Sequence, residues 1–438
     1  MNKQIITTIQ RGAKVNKILL KNLQAFAKEH DVTTIKAFVM DGKNKDDIEI
    51  DPIVFDSGIE LIVPHKAGTA LNSNLKIYDT MIKPSQINPL TGFNKKLSRD
   101  HSYILPSPKI RYLSIPNTSK LPRFFATTGS LTDGNYKLHT AQGRKANLEH
   151  QYGFVFVEIK NGKKFDIHQV EALKNGKFNY LTEYYSGGKV LSQIPEALIL
   201  GDWHTGDTCP TTRKRTIQMI HELKPRRVVF HDLFNGHSIN HHEEKNFISK
   251  ARSVFNKRHV LEKELKETLT EIQFFSKEFP DVKFLVSESN HDIFLTTYLG
   301  LHNWLRDGYN SIIASKLFAP IVENTKKASL EVALSLIGKV PSNFNFLIED
   351  QENRVSGIEL GYHGHRGLNG ARGSSSSFDR FNLKMITGHE HTPKMYGNGM
   401  VVGTSTHLKL SYTKGAGSWM NAHGILYKSG KYALLTLV

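Results

Sequence analysis

The chain has 438 residues, of which 39% are hydrophobic and 23% are charged. This length is too great for one ordinary domain, and the composition is that of a globular protein, which excludes a disordered or fibrous chain. The formal net charge of +17 favours a polyanionic partner, nucleic acid before a membrane surface, although a general contribution to solubility would explain the same excess.

The chain contains one cysteine, Cys209, so an intramolecular disulfide and a zinc site made of several thiolates are both excluded. The first residues lack the apolar core of a signal peptide, and no stretch is long and apolar enough to span a bilayer. We therefore expect a cytoplasmic protein with no membrane partner.

The first 190 residues have the pattern of a mixed α/β region. Their opening predicts a strand, a helix and a second strand that ends near Met40. Further on, Asn-Gly pairs at 161–162 and 175–176 separate apolar runs, which predicts a meander of hairpins. The pair Gly187-Gly188 offers a natural boundary. We predict a separate N-terminal mixed α/β domain at residues 1–190 and a second domain at residues 191–438.

Basic and aromatic residues alternate in the middle of the N-terminal region. Such a mixture can hold a phosphate backbone and stack bases, so this region is a candidate nucleic-acid or partner-binding surface. A solvated basic face over an ordinary core is the alternative. The residues are Lys95, Lys96, Arg99, Lys109, Arg111, Lys120, Arg123, Arg144 and Lys145, with Tyr103, Tyr112, Phe124 and Phe125.

Beyond residue 191, patterns typical of strands and helices alternate. Residues 243–279 contain neither Pro nor Gly and predict a long helix with at most one break. Its basic residues suggest contact with nucleic acid or an oligomer partner, and an ordinary solvated helix is the alternative. Short strands dominate after residue 344. Units of strand and helix followed by strands predict an α/β fold, a two-sheet sandwich flanked by helices.

Four apolar runs in this second half end in residues of metal-ligating type. Asp202 and His204 follow the first run, and because residues i and i+2 of a strand share a face, both side chains can reach one point. Ligands bind at the carboxyl ends of strands in open α/β sheets. The four clusters therefore predict one metal site. They are Gly201-Asp-Trp-His204, His231-Asp232, Asn290-His-Asp292 and Gly388-His-Glu-His391.

These clusters, together with His363, occur in the order used by the calcineurin-like metallophosphoesterase superfamily, which the chain resembles over rather more than half its length. The Asp232-Leu-Phe run, with His237 after it, is similar to the SbcD-like DNA nuclease branch. His231 and Ser289 stand where the superfamily has glycine, which concerns the local turns but removes no ligand. The first half resembles a region that precedes such domains in bacteriophage proteins, and this implies a phage-encoded DNase in the host cytoplasm.

The resemblance implies two divalent metal ions bridged by Asp232. Imidazole, carboxylate and amide ligands suit Mn, Fe, Zn or Ni, and the resemblance favours Mn²⁺, with Mg²⁺ as a further alternative. Two divalent ions carry four positive charges, and the carboxylates of Asp202 and Asp232 supply only two negative ones. The site therefore keeps an excess of positive charge, which suits a phosphate diester. The other ligands implied are Asp202, His204 and His391 for the first ion, and Asn290, His363 and His389 for the second.

His291 is the candidate general acid, because it follows the ligand Asn290 and an ordinary histidine pKa of about 6.5 lets it hold a proton. Asp292 is expected to accept a hydrogen bond from His291 and fix its orientation. His237 is a candidate second contact to phosphate.

A Gly- and Ser-rich stretch, residues 363–377, begins at the proposed ligand His363. Its Arg366 and Arg372 are candidate substrate-binding residues, because a guanidinium suits bidentate contact with phosphate. A disordered surface loop is the alternative.

The predicted function is that of a metal-dependent DNase. The alternatives are a phosphatase or small-molecule phosphodiesterase of the same fold, and a nucleic-acid-binding assembly protein with a vestigial site. DNA is the expected partner. A homo-oligomer is also expected, and any ATPase partner would be a separate chain, because this one has no Walker-type glycine-rich loop.

Overall fold

The computed structural model describes residues 2–44, 46–63, 68–80, 82–119, 121–242, 246–410 and 413–437. The strands are β1 (Asn2–Gln10), β2 (Thr34–Met40), β3 (Glu60–Ile62), β4 (Gly68–Ala70), β5 (Leu75–Tyr78), β6 (Ser102–Leu105), β7 (Tyr112–Ile115), β8 (Arg123–Thr127), β9 (Gly153–Ile159), β10 (Phe165–Glu171), β11 (Phe178–Tyr180), β12 (Glu183–Ser186), β13 (Lys189–Ser192), β14 (Ala197–Ile199), β15 (Arg227–Phe230), β16 (Lys283–Val286), β17 (Phe344–Phe346), β18 (Arg354–Val355), β19 (Ile358–Glu359), β20 (Met385–Thr387), β21 (Lys394–Tyr396), β22 (Gly399–Val401), β23 (Ala422–Leu426) and β24 (Tyr432–Thr436). The α-helices are α1 (Lys17–Glu29), α2 (Phe93–Lys96), α3 (Ala141–Leu148), α4 (Pro210–Leu223), α5 (Phe247–Phe255), α6 (Leu261–Glu278), α7 (Ile293–Gly300), α8 (Ser311–Glu323), α9 (Ser329–Ile337) and α10 (Ser375–Phe378).

Two sheets carry the predicted metal-ligating clusters. The first has six strands in the order β17-β16-β15-β14-β23-β24, and the second has ten in the order β18-β19-β20-β22-β21-β7-β8-β6-β5-β4. Leu198 of β14 lies in a core shared with helices α4 and α6 to α9, whereas Ile199 lies in a core shared with Met400 of the ten-stranded sheet. Both faces of the six-stranded sheet are therefore buried, which explains its uninterrupted apolar runs. The predicted α/β sandwich with helices outside is confirmed.

The ten-stranded sheet combines strands from both halves of the chain. Strand β7 pairs with β21 in antiparallel register, with Leu113 opposite Lys394 and Tyr112 opposite Met395. The Tyr112 hydroxyl also donates to the Met420 sulfur at 3.1 Å. One sheet thus crosses the predicted boundary at residue 190, and the division of the chain into two domains stays a prediction.

The N-terminal region forms a five-stranded sheet in the order β10-β9-β1-β2-β3, with α1 on one face. The opening strand, helix and strand are as the sequence predicts, and β1 runs parallel to β2. Strands β9 and β10 form the hairpin expected around the first Asn-Gly pair, with Phe165 opposite Ile159. Phe26 of α1 packs edge-on against Phe156 of β9, with ring centroids 5.1 Å apart, and this contact fixes the helix on the sheet.

Part of the basic and aromatic set of this region lies in the core and not on the surface. The four aromatic residues that were expected to stack bases are all buried in the core. Lys109 is fully buried and donates to the Pro84 carbonyl at 2.5 Å, and burial lowers the pKa of this amine to about 7. Arg111 is buried on the Glu149 carboxylate. The four buried rings cannot stack bases, and strands buried on both faces show the same mixture of residue types. Lys95, Lys96, Arg99, Arg144 and Lys145 are exposed, and a binding role of the N-terminal region stays a prediction. Lys120 lies outside the described residues.

The long helix predicted at 243–279 is broken once, between α5 and α6, where Lys257 takes a positive φ of 55°. Residues 243–245 of that prediction lie outside the described residues. Across the described ranges, none of the helices is long and apolar enough to cross a membrane.

Candidate metal centre

The segments that follow β14 and β15 remain hydrogen-bonded to each other, and this pairing brings the predicted ligands together. Beyond β14, the Trp203 amide donates to the His231 carbonyl at 2.9 Å and the His204 amide donates to the Asp232 carbonyl at 2.6 Å. His204 and Asp232 both take left-handed conformations, with φ of 49° and 45°. This backbone region is rare for residues with a side chain, although Asp, Asn and His tolerate it best. The two turns bring both side chains to the same strand edge.

The first group of donors surrounds the edge of β14. The His391 Nε2 atom lies 3.0 Å from Asp202 Oδ2, and the His204 Nε2 atom lies 3.4 Å from Asp232 Oδ2. The Nε2 atoms of His204 and His391 are 3.1 Å apart. His204, Asp232 and His391 are buried and present their ligand atoms within 4.8 Å of one another, so they could hold one metal ion.

The second group shares Asp232 with the first. The His363 Nε2 atom lies 3.3 Å from Asp232 Oδ2 and 3.2 Å from Asn290 Oδ1. The His389 Nδ1 atom lies 3.0 Å from the same Asn290 oxygen. Asp202, Asp232 and His363 form a second set that could hold an ion. The structure therefore brings all seven predicted ligands together, with Asp232 between the two groups.

Buried atoms without partners show that these residues fit a pair of cations. Asp202 is fully buried, and its Oδ1 atom has no hydrogen-bond partner within the described part of the chain; the same is true of Asp232 Oδ1. An unpaired buried carboxylate oxygen is costly unless it binds a cation. Gly388 leaves the room required, since a Cβ atom there would clash with Asp202 Oδ1 and lie 2.9 Å from His231 Cβ.

Neighbouring charges favour the ionised form of Asp232, whereas burial favours the neutral imidazoles of His204 and His389. Burial opposes ionisation of Asp232, but His363, His291 and His204 outweigh it and hold the pKa of Asp232 well below its usual range. Burial lowers the pKa of His204 to about 3 and that of His389 to about 4. Neutral imidazole and ionised carboxylate are the forms that bind metals. Burial also disfavours the His363 imidazolium, yet Asp232 raises the pKa of His363 to about 9 in the metal-free protein.

His291 is held by a different partner from the one expected. Its Nδ1 atom lies 2.5 Å from the Asn235 carbonyl oxygen, so this nitrogen carries the hydrogen. The Asp292 carboxylate instead accepts from the Ser289 amide at 2.9 Å, and burial raises the pKa of Asp292 to about 8. Asp292 therefore stabilises the turn at residues 289–292, in which Ser289 stands at the position where the resemblance leads one to expect glycine. The predicted hydrogen bond from His291 to Asp292 was wrong.

Asp207 organises the loop beside His291. Its carboxylate accepts from His237 Nε2 at 2.8 Å, Asn235 Nδ2 at 2.8 Å and Arg258 Nη2 at 2.9 Å. Although burial opposes ionisation of Asp207, the His237 and Arg258 hydrogen bonds hold its pKa well below the usual range. Asn235 thus links Asp207 to His291 through its side chain and its carbonyl. His237, predicted to contact phosphate, has its Nε2 committed to Asp207.

Neither arginine of the glycine-rich stretch lies in the metal cluster. Arg366 Nε forms an ion pair with Glu349, which His365 also approaches at 3.2 Å. Arg372 is exposed and forms an isolated backbone bridge with Arg366. The ion pair with Glu349 partly neutralises the charge of Arg366, and its role in binding substrate stays a prediction. The role of Arg372 stays a prediction.

A cleft of about 400 Å³ opens over both groups of ligands. It is lined by Asp232, Asn290, His291, His389 and His391, together with Asn235, His237 and Trp419. The ring of Trp419 lies 4.2 Å from that of His391, and no sequence motif had marked this tryptophan as part of the site. Asn235 could have been found by its position three residues after Asp232. The roles of Asp207 and Arg258 depend on contacts between distant loops.

Comparisons with known proteins show a sequence similarity to a phage protein. No protein-family model matches the chain. The chain is 27% identical to "Protein A1" of Escherichia phage T5 over an alignment 463 residues long, gaps included. This alignment covers 98% of this chain and 81% of that protein. Among solved structures, Vps29 of Chaetomium thermophilum matches 41% of this chain and 94% of its own, at 9% identity and a TM-score of 0.23. The chain is thus similar to a phage protein along nearly its whole length.

Proposed function

We propose that this protein is a metal-dependent nuclease of the calcineurin-like metallophosphoesterase superfamily that hydrolyses phosphodiester bonds in DNA. The observation that carries the proposal is the convergence of six buried or half-buried donors around Asp232, together with buried Oδ1 atoms of Asp202 and Asp232 that have no hydrogen-bond partner within the described residues. The excess of positive charge over the whole chain supports a polyanionic substrate.

Asp202, His204, Asp232 and His391 would hold one ion, and Asn290, His363, His389 and Asp232 the other, with Mn²⁺ as the metal proposed. When bound, the ions would supply a nucleophile at neutral pH and stabilise charge on the phosphoryl oxygens. His291 acts on the leaving oxygen. Because its Nδ1–H is engaged on the Asn235 carbonyl, the proton that it donates must be the one on Nε2.

The similarity to a T5 protein supports a phage origin and a place of action in the host cytoplasm. DNA is the partner proposed. Self-association and a separate ATPase chain are further proposals that follow from the resemblance to SbcD-like nucleases.

The test is digestion of linear and circular DNA by metal-stripped protein to which Mn²⁺, Mg²⁺ or Zn²⁺ is returned. We expect Mn²⁺-dependent cleavage that falls by at least about a hundredfold in His291→Ala, since general acids contribute about 10²–10⁴-fold. Cleavage of circular DNA would show internal cutting. Inertness towards all nucleic acids, with turnover of a small aryl phosphate diester, would instead establish a small-molecule phosphodiesterase. Inertness towards both would leave a binding protein.

A second prediction concerns Asp207, which positions His291 through Asn235. We expect Asp207→Asn to lower kcat by roughly 10- to 100-fold, the usual cost of losing an outer hydrogen-bond partner of a site. Metal binding, measured by titration calorimetry, should not change, because the Asp207 carboxylate binds His237, Asn235 and Arg258, and the backbone hydrogen bond from Asp207 to His204 does not depend on the side chain. The matched control is Asp281→Asn, an exposed carboxylate that should leave kcat unaltered. Equal loss of metal affinity and kcat would contradict a positioning role.

A further inference from the structure

A second cavity, of about 360 Å³, opens beside the metal cleft. His237 and Asn240 line both the cavity and the cleft, so the two spaces adjoin. The cavity lies between α5 and the loop before α8, and its size falls within the usual range for a small-ligand site.

The walls of this cavity are basic. Lys250 and Arg306 line it, both exposed, and neither has an ion pair within the described ranges. Asp307 is the only carboxylate among the described lining residues, and it is already occupied by donors from Tyr298, Asn310 and the Tyr309 amide. The cavity therefore retains positive charge next to a site built for a phosphate ester.

The same walls offer an aromatic surface and an unused polar atom. Tyr309 is 62% exposed, and its ring stands edge-on to that of His259 with centroids 4.3 Å apart. The His259 Nδ1 atom is buried and has no hydrogen-bond partner in the part of the chain that the structure describes. An exposed ring beside unpaired cations is the arrangement that holds a base and its phosphate in proteins that bind single strands.

We propose that this cavity, here called the flanking subsite and defined by Lys250, His259, Arg306 and Tyr309, binds the nucleotide next to the scissile phosphate. This assignment rests on the proposed nuclease function, and it gives a position to one neighbouring nucleotide of the bound strand. Arg306 and Lys250 take the phosphate of that nucleotide, and Tyr309 stacks on its base. A substrate without a flanking nucleotide gains nothing from these contacts.

The test compares a single-stranded oligonucleotide with bis(p-nitrophenyl) phosphate, which has no flanking nucleotide. We expect Arg306→Ala and Tyr309→Leu each to lower kcat/KM for the oligonucleotide by about tenfold, the effect of losing one base or phosphate contact. Hydrolysis of the small diester should be unchanged. The control is Lys277→Ala, an exposed cation on α6 that does not line the cavity.

The salt dependence gives an independent reading, because removing one phosphate contact should lower the slope of log affinity against log salt by about one unit in Arg306→Ala. Equal loss on both substrates, or no loss on either, would overturn the proposal. If the wild type cuts no nucleic acid, the nuclease function fails by itself. Binding of dAMP by the metal-free protein then decides on the subsite: loss in Arg306→Ala supports it, and no binding by the wild type overturns it.

Discussion

Replacing Asp232 with asparagine should abolish turnover, with a fall in kcat of at least about a thousandfold, or about 4 kcal/mol in barrier. Asp232 lies between both groups of donors, with its Oδ2 atom 3.4 Å from His204 Nε2 and 3.3 Å from His363 Nε2. Asparagine keeps the size of the side chain and tolerates the φ of 45° at this position, so the change removes charge without forcing the backbone. Steady-state hydrolysis of DNA and of a small diester would measure the loss.

The control for this variant is Asp281→Asn, which removes an exposed carboxylate that neither belongs to the cluster nor lines its cleft. In chelator, the melting temperatures of Asp232→Asn and wild type should agree within a few degrees, which separates loss of chemistry from loss of fold. Retention of more than a tenth of wild-type kcat with the fold intact would refute the bridging role of Asp232.

The second large effect is on stability. Adding Mn²⁺ to metal-stripped protein should raise its melting temperature by on the order of 5–10 °C, because an ion at 100 to 1,000 times its Kd stabilises the folded state by roughly 3–4 kcal/mol. The physical reason is the pair of buried carboxylates, Asp202 and Asp232, whose Oδ1 atoms have no partner within the described residues. Differential scanning calorimetry with and without chelator would measure the shift.

The Asp232→Asn variant should lose more than half of this shift, because both ions lose a shared ligand. Asp207→Asn should retain it in full, since the Asp207 carboxylate binds His237, Asn235 and Arg258 and not the side chain of a metal ligand. An equal shift in wild type and Asp232→Asn would place the stabilising ion elsewhere on the chain.

The metal cluster could be predicted from the sequence because its ligands follow strand ends. Each of the apolar runs before Asp202, Asp232 and Asn290 is a strand of one parallel set, and parallel strands present their carboxyl ends at one edge. His365 lies two residues after His363 and could face the same way, so spacing alone does not show which of the two histidines is the ligand. In the structure His363 faces Asp232, and His365 lies 3.2 Å from Glu349.

The surroundings of the cluster could not be predicted in the same way. The hydrogen bond from His291 to the Asn235 carbonyl joins two loops 56 residues apart, and no side-chain pattern announces a backbone acceptor. Adjacency in sequence favoured Asp292, whose carboxylate turned to Ser289 instead. The burial of the N-terminal aromatic rings could not be predicted for another reason: composition does not distinguish a strand with two buried faces from a charged surface that binds nucleic acid.

The pairing of β7 with β21 has a consequence for dissecting the protein. A fragment that begins at residue 191 would keep all the metal ligands but would lose β7 and the four strands beyond it in the ten-stranded sheet. The hydrogen-bonding edge of β21 would then face solvent, and bare edges of this kind recruit other chains and aggregate. The first half of the chain therefore covers an edge of the second half, and we expect a fragment truncated at residue 191 to be unsuitable for testing the proposed hydrolysis.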